Sequence, residues 1–149
     1  TAKIRIGWDT SSINAPAVCR TLEDCGIAAV SVHGRTRAQG YSGEADWAVI
    51  AECADAVSIP VIGNGDIASG RDVEHRRDTT NIRGAMIGRA AMQHPWVFRE
   101  AKHYLTHGTS PASVPMPRRK TSIDWSPTGS PRTAAIGSKR CGCRDSTRN

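Results

Sequence analysis

The chain has 149 residues, which is enough for one domain of ordinary size, and its formal net charge is +6. The charge is unevenly placed: residues 1–108 contain 12 Lys and Arg against 12 Asp and Glu, whereas residues 109–149 contain 8 against 2. A basic balance confined to one end is weak evidence for nucleic-acid binding. No apolar run approaches the roughly 18 residues that a membrane-spanning helix needs, so no such helix is predicted.

The five cysteines are an odd-numbered set, and their spacing is not that of a metal site. This usage indicates free thiols in a reducing compartment, and hence a cytoplasmic protein without a bound metal. The sequence also offers no Ser-His-Asp or Cys-His combination of any specificity. No catalytic residue is therefore assigned from the pattern.

Four short apolar runs, rich in β-branched residues, predict strands at about 3–7, 28–33, 58–63 and 84–88. The intervals of roughly 25 to 30 residues each leave room for one helix and two loops. This alternation predicts an α/β fold of about four βα units. Four such units are half of an eightfold TIM barrel.

Start and stop signals predict a helix after each strand. The first helix is expected to bury Cys25 on its apolar face. The last is expected to run from about Gln93 to His107, with an apolar face formed by Trp96, Val97, Ala101, Tyr104 and Leu105. The predicted helix starts are Asn14, Asp46, Ser69 and about Gln93.

Residues 109–149 are rich in Pro, Ser, Thr, Gly and Arg and contain few large apolar side chains. Such a segment buries too little surface to offset its ordering entropy, which predicts a disordered basic tail after a folded part at 1–108. The first strand begins at the third residue, which indicates a fragment whose N-terminal part is missing. Half a barrel exposes two strand edges, so we expect either a missing half that covers them or self-association.

The third and fourth strands both end abruptly in glycine and polar residues. Glycine lets the backbone approach an anion closely, and free N–H groups at a turn donate to phosphate. In a barrel the loops after the last two strands often hold a phosphate, and Arg supplies a matching fork of donors. The pattern therefore predicts a phosphorylated cofactor, although ordinary turns use the same residue types. The residues are Asn64, Gly65 and Asp66 after the third strand, and Gly88 and Arg89 after the fourth.

The first two strands carry further candidates. Lys3 and Arg5 share one face of the first strand, where a cation needs an anionic partner unless the terminus frays. His33 ends the second strand and is either a donor to a heterocyclic ligand or a structural histidine. Arg35 and Arg37 follow it and are either contacts for an RNA phosphate backbone or solvated loop charges. Arg5 is a further candidate for RNA binding.

Several short motifs then occur in a characteristic order. They are Lys3-Ile4-Arg5, Val32-His33-Gly34-Arg35-Thr36-Arg37, Ile59-Pro60-Val61-Ile62-Gly63-Asn64-Gly65-Asp66-Ile67 and Met86-Ile87-Gly88-Arg89-Ala90-Ala91. In this combination the chain resembles the second half of the catalytic barrel of bacterial tRNA-dihydrouridine synthases. The resemblance covers about Lys3 to Gly108.

The resemblance implies an FMN enzyme that reduces particular uridines of tRNA to 5,6-dihydrouridine, with NADPH recharging the flavin. Lys3 would contact the flavin and His33 would lie beside its ring. The phosphate loops would be formed by residues 64–66 and by Gly88 with Arg89. The family's proton-donating cysteine precedes the first residue of this chain, so the resemblance implies no catalytic residue here and no activity of the chain alone.

Two other functions remain open at this point. One is a non-catalytic RNA-binding module that uses Arg35, Arg37 and the basic tail, with strongly salt-dependent affinity. The other is a phosphate-binding barrel isomerase or lyase with the same pair of rim loops.

Overall fold

The computed structural model describes residues 1–110, in which four parallel strands alternate with helices. The strands pair in chain order, so each joins its neighbour through a helical crossover. This confirms the predicted α/β fold with the partial barrel arrangement. The strands are β1 (Ala2–Arg5), β2 (Val30–His33), β3 (Val61–Asn64) and β4 (Gly84–Met86). The helices are α1 (Ala15–Asp24), α2 (Trp47–Ala56), α3 (Gly70–Thr79), α4 (Arg89–Gln93) and α5 (Val97–His107).

Strand alternation separates an apolar face of the sheet from a polar one. Val30, Val32 and Val61 face the helices and are almost completely buried with Ile50 and Cys53 of α2. The other positions of the strands carry most of the polar side chains that the sequence singled out. The sheet therefore keeps its core on the helical side and presents its chemistry on the opposite side.

Helix ends follow local capping chemistry. The Asp46 carboxylate accepts hydrogen bonds from the N–H groups of Ala48 and Val49, and Ser69 accepts one from Asp72. The helix starts predicted at Asp46 and Ser69 are thus confirmed.

The predicted burial of Cys25 on the apolar face of the first helix was wrong. Cys25 is exposed, because α1 already ends at Asp24 and the chain leaves the helical repeat there.

The helix predicted from about Gln93 to His107 begins later, at Val97, and a separate short helix, α4, precedes it and ends at Gln93. Pro95 disfavours helical backbone at the preceding residue, and His94 adopts φ −142° and ψ 85°. The apolar face predicted for this helix is confirmed at Val97 and Ala101, which are buried, whereas Trp96 and Leu105 are 41% and 38% exposed.

Within residues 1–110, β1 and β4 each pair with a single strand. The expected self-association through these edges stays a prediction. The predicted disorder of the tail lies outside the described residues apart from its first two positions, and the boundary at 108 also stays a prediction.

Gly63 tests the packing of β3 against α2. A Cβ at Gly63 would lie 2.6 and 2.7 Å from two ring carbons of Trp47. The indole cannot move freely, because it is buried and its Nε1 donates to the carbonyl of Gly65. We expect Gly63→Ala to lower the free energy of unfolding by about 1–3 kcal/mol, measured by urea denaturation.

The matched control is Gly84→Ala, also in a strand. There the nearest atom to an added Cβ is 3.7 Å away, which is ordinary van der Waals contact. This variant should unfold within about 0.5 kcal/mol of the wild type. Equal losses in the two variants would contradict the packing account.

Candidate functional site

A cavity of about 640 Å³ lies at the carboxyl ends of the four strands. Parallel strands bring the residues that follow them to one edge of the sheet, which is why distant motifs meet there. All seven residues predicted to bind a cofactor line this cavity, together with Arg5. The seven are Lys3, His33, Asn64, Gly65, Asp66, Gly88 and Arg89.

The side chain of His33 is held in one tautomer by its neighbour. Asn64 Nδ2 donates to the Met86 carbonyl at 2.7 Å, and this carbonyl can only accept. The Asn64 amide oxygen must therefore face His33 Nδ1, 2.6 Å away, and Nδ1 must carry the hydrogen. In the neutral imidazole Nε2 is consequently a hydrogen-bond acceptor.

His33 Nε2 is buried and has no hydrogen-bond partner among the described residues. Burial lowers the pKa of His33 and outweighs the opposing bond to Asn64; the charges of Lys3, Arg5 and Arg35 lower it further. The neutral ring thus presents an unsatisfied acceptor at neutral pH. The sequence had suggested a donor toward the ligand, but the donating nitrogen is already used by Asn64.

Lys3 and Arg5 lie beside Ser31 and His33 in the sheet register. Partial burial and the nearby Arg5 charge lower the pKa of the Lys3 ammonium. Since Lys3 and Arg5 both line the cavity, this part of its floor is cationic.

Asp66 occupies an unusual backbone conformation with φ +53° after Gly65 at φ +137°. A Cβ at position 65 would lie 2.5 Å from Cβ of Ala45, so the turn requires glycine there. The turn directs the Asp66 carboxylate to the Ala45 N–H at 2.8 Å, to Arg35 Nη2 at 2.8 Å and to Arg89 Nη2 at 2.7 Å. Three segments of the chain thus meet at one carboxylate.

Burial by itself would raise the pKa of Asp66, but the hydrogen bonds from Arg35 and Ala45 and the charges of Arg35 and Arg89 lower it overall. The carboxylate is therefore ionised and bound to cations. A carboxylate repels phosphate, so any contact of this loop with a phosphate would come from its backbone. The side chain of Asp66 instead positions the two guanidinium groups.

The side chain of Arg35 is buried, with 2% of its surface exposed. It donates to the carbonyls of Ser42 and Gly43 in addition to Asp66. Arg5 likewise donates through Nη1 to the carbonyls of Thr36 and Gly40, at 2.8 and 3.0 Å. Both side chains hold the loop of residues 36–45, which we call the rim loop. The burial of Arg35 disfavours the RNA contact predicted for it, which stays a prediction.

Arg37 is exposed on the rim loop and remains a candidate for contact with a phosphate backbone. Sequence reasoning missed Tyr41, which lies on the same loop and lines the cavity. Its side chain is 67% exposed, and Arg89 Cζ lies 5.4 Å from the ring centroid. The available signal was an aromatic residue between Gly40 and Gly43 in a loop.

None of the helices within residues 1–110 combines the length and apolar character required to cross a membrane. In the same part of the chain, no group of three or more His, Cys, Asp or Glu side chains is arranged to hold a metal ion.

The site combines cations, an amide-fixed imidazole acceptor and close-approach glycine turns at the carboxyl edge of a parallel sheet. These features define a partial α/β barrel with a cationic cavity whose lining suits an anionic ligand that also has hydrogen-bonding groups. The family model described as dihydrouridine synthase (Dus) matches residues 1–126. The chain therefore belongs to the dihydrouridine synthase family. The match extends past Gly108, where the resemblance seen in the sequence had ended.

The curated relatives support the same conclusion. The chain is 50% identical to tRNA-dihydrouridine synthase B of Xanthomonas campestris pv. campestris over 108 residues, covering 72% of the chain and 32% of the relative. It is 50% identical to the Pseudomonas syringae pv. tomato protein of the same name, covering 75% and 34%, and 46% identical to the Vibrio cholerae one, covering 78% and 36%. The chain spans about a third of the length of these relatives.

Among solved structures, a nitroalkane oxidase from Streptomyces ansochromogenes aligns with a TM-score of 0.41 and 18% identity. The alignment covers 58% of this chain and 26% of the oxidase. A likeness this weak supports no assignment.

The titration of His33 tests the geometry of the site. Because the pKa of His33 is lowered below 6.5, the folded state takes up this proton less readily than the unfolded chain. The contribution of this group to stability is therefore complete above about pH 6.5 and is lost as the pH falls below that value. ¹⁵N NMR should show a midpoint below 6.5 and hydrogen on Nδ1 of the neutral ring.

In the variant Asn64→Asp, a carboxylate replaces the amide that accepts from Nδ1. We expect the pKa of His33 to rise above that of the wild type, because the new charge stabilises the imidazolium. An unchanged midpoint would mean that His33 and residue 64 are not in contact.

Proposed function

We propose that this chain forms one side of the FMN site of a tRNA-dihydrouridine synthase. Such an enzyme reduces uridines of tRNA to 5,6-dihydrouridine with NADPH as the reductant. Membership of the family supports the reaction, and the cavity supports the cofactor. A tRNA substrate also favours a cytoplasmic location.

The single observation that carries the proposal is the convergence of four strand ends on one cationic cavity. Lys3, Arg5 and Arg89 face one carboxylate there, and that carboxylate already binds Arg35. A phosphate dianion would be attracted to this excess of positive charge. The guanidinium of Arg89 is half exposed and has the fork geometry suited to phosphate.

The unsatisfied Nε2 of His33 fits the same ligand. An acceptor in this position requires a donor from the ligand, and FMN offers an imide N–H and ribityl hydroxyl groups. The cavity volume of about 640 Å³ is also within the usual range of roughly 300–1,000 Å³ for small-molecule sites.

Reduced FMN, when bound, supplies the hydride for the substrate. The ammonium of Lys3 would stabilise negative charge that develops beside it, and the low dielectric of a closed site would strengthen this effect. His33, fixed by Asn64, would orient the ligand through Nε2. The uracil must leave its base stack to reach such a site, as in other enzymes that act on a base.

A non-catalytic RNA-binding module is supported less well. This function was predicted to use Arg5, Arg35 and Arg37. The side chain of Arg35 is buried and Arg5 donates to the rim loop, so Arg37 is the exposed one of these three arginines. Family membership likewise disfavours an isomerase or lyase.

Titration of the purified 149-residue chain with FMN and with riboflavin, followed by flavin fluorescence, tests the proposal. Riboflavin lacks the phosphate that Arg89 is proposed to bind. We expect Arg89→Gln to weaken FMN about 10- to 100-fold and to leave riboflavin nearly unchanged, since one charge-assisted contact is removed. Lys3→Gln should weaken both ligands, because Lys3 is proposed to meet the ring.

The matched control is Lys102→Gln, which removes an exposed cation of α5 that does not line this cavity. It should bind both flavins as the wild type does. Failure of the wild-type chain to bind FMN, or equal losses for FMN and riboflavin in Arg89→Gln, would contradict the proposed site.

A further inference from the structure

The rim loop is fixed by many hydrogen bonds, although it contributes little to the core. Two guanidinium groups donate to four of its carbonyls, those of residues 36, 40, 42 and 43. The Ala45 N–H is bound by Asp66, and Gln39 and Thr36 bond to each other's backbone N–H groups. Apart from Thr36, no residue of this loop is buried. The bracing therefore fixes the position of exposed groups.

The exposed aromatic side chain on this loop is Tyr41. Its ring has the Arg89 guanidinium beside it, and its hydroxyl takes part in no side-chain hydrogen bond among the described residues. A rigidly placed, open aromatic ring is a suitable stacking surface for a nucleobase, whatever the base.

A second cavity, of about 380 Å³, lies beside the first and shares Tyr41, Asp66 and Arg89 with it. Arg76 of α3 also lines this second cavity, and its guanidinium lies over the ring of Trp47, 4.8 Å from the centroid. Because Arg35 and Asp66 neutralise each other, two guanidinium groups face the single carboxylate of Glu44.

We propose that this second cavity binds one nucleotide of the RNA next to the base that is reduced. The base stacks on Tyr41, and the phosphate lies against Arg76, which lines the second cavity and not the first. The inference rests on the proposed function, and it adds a subsite and the residues that form it. The separation of ring and cations suits a nucleotide, which carries both a planar base and an anion.

The test uses the full 149-residue chain and an unmodified tRNA transcript, with fluorescence anisotropy between roughly 50 and 200 mM salt. Tyr41→Ala should weaken binding about tenfold at every salt concentration, because stacking releases no counterions. Arg76→Gln should instead lower the slope of log affinity against log salt by about one. Glu44→Gln should tighten binding, because it removes the opposing charge.

Two controls separate recognition from folding. Tyr41→Phe keeps the ring and should bind tRNA as the wild type does, whereas Tyr41→Leu keeps the bulk without the ring and should bind as Tyr41→Ala does. Arg77→Gln removes the exposed cation next to Arg76 that lies outside the cavity, and it should leave the salt slope unchanged.

FMN titration of the same variants distinguishes the two proposals. Arg76→Gln should bind FMN as the wild type does, since Arg76 lines the second cavity and not the first. Wild-type chain that binds FMN but not tRNA would overturn the nucleotide subsite alone, as would equal tRNA affinity of Tyr41→Leu and Tyr41→Phe. Absence of FMN binding by the wild type would overturn the proposed function and this inference with it.

Discussion

The ionised carboxylate of Asp66 joins the three loops that form the site. It accepts hydrogen bonds from Arg35 after β2, from the N–H of Ala45 at the end of the rim loop and from Arg89 after β4. The three donors lie 21 to 31 residues from Asp66 in sequence. Removal of this one charge would leave Arg35 buried without an anion and Arg89 without a fixed direction. The relative positions of the cavity walls depend on it.

The same charge balance defines the ligand. Cations on the polar face of the sheet outnumber their partners, so the cavity attracts an anion even though residues 1–108 as a whole are formally neutral. The pKa of His33 is lowered in this environment, which keeps the ring neutral and makes Nε2 an acceptor. An anion that also carries hydrogen-bond donors is the ligand that satisfies both demands.

The strands and the glycine turns were predictable, because a buried parallel strand and its rim have local signatures in composition. The late start of the last helix was also signalled, by Pro95. The partners of Arg5 and Arg35 were not predictable, since the bonds link residues 7 to 35 positions apart and depend on how the rim loop folds back. A loop arginine has the same appearance in sequence whether it meets solvent, RNA or a carboxylate.

The ion pair between buried Arg35 and partly exposed Asp66 is better explained by positioning than by stability. The desolvation of the Arg35 guanidinium offsets much of the attraction between the two charges. An apolar pair, however, could not hold loop carbonyls with one guanidinium and direct Arg89 with the partner carboxylate. The interactions of Arg35 with the rim loop and of Asp66 with Arg89 require directed donors and acceptors. The ion pair therefore serves the geometry of the cavity rim, which presents Tyr41 and Arg89 to a ligand.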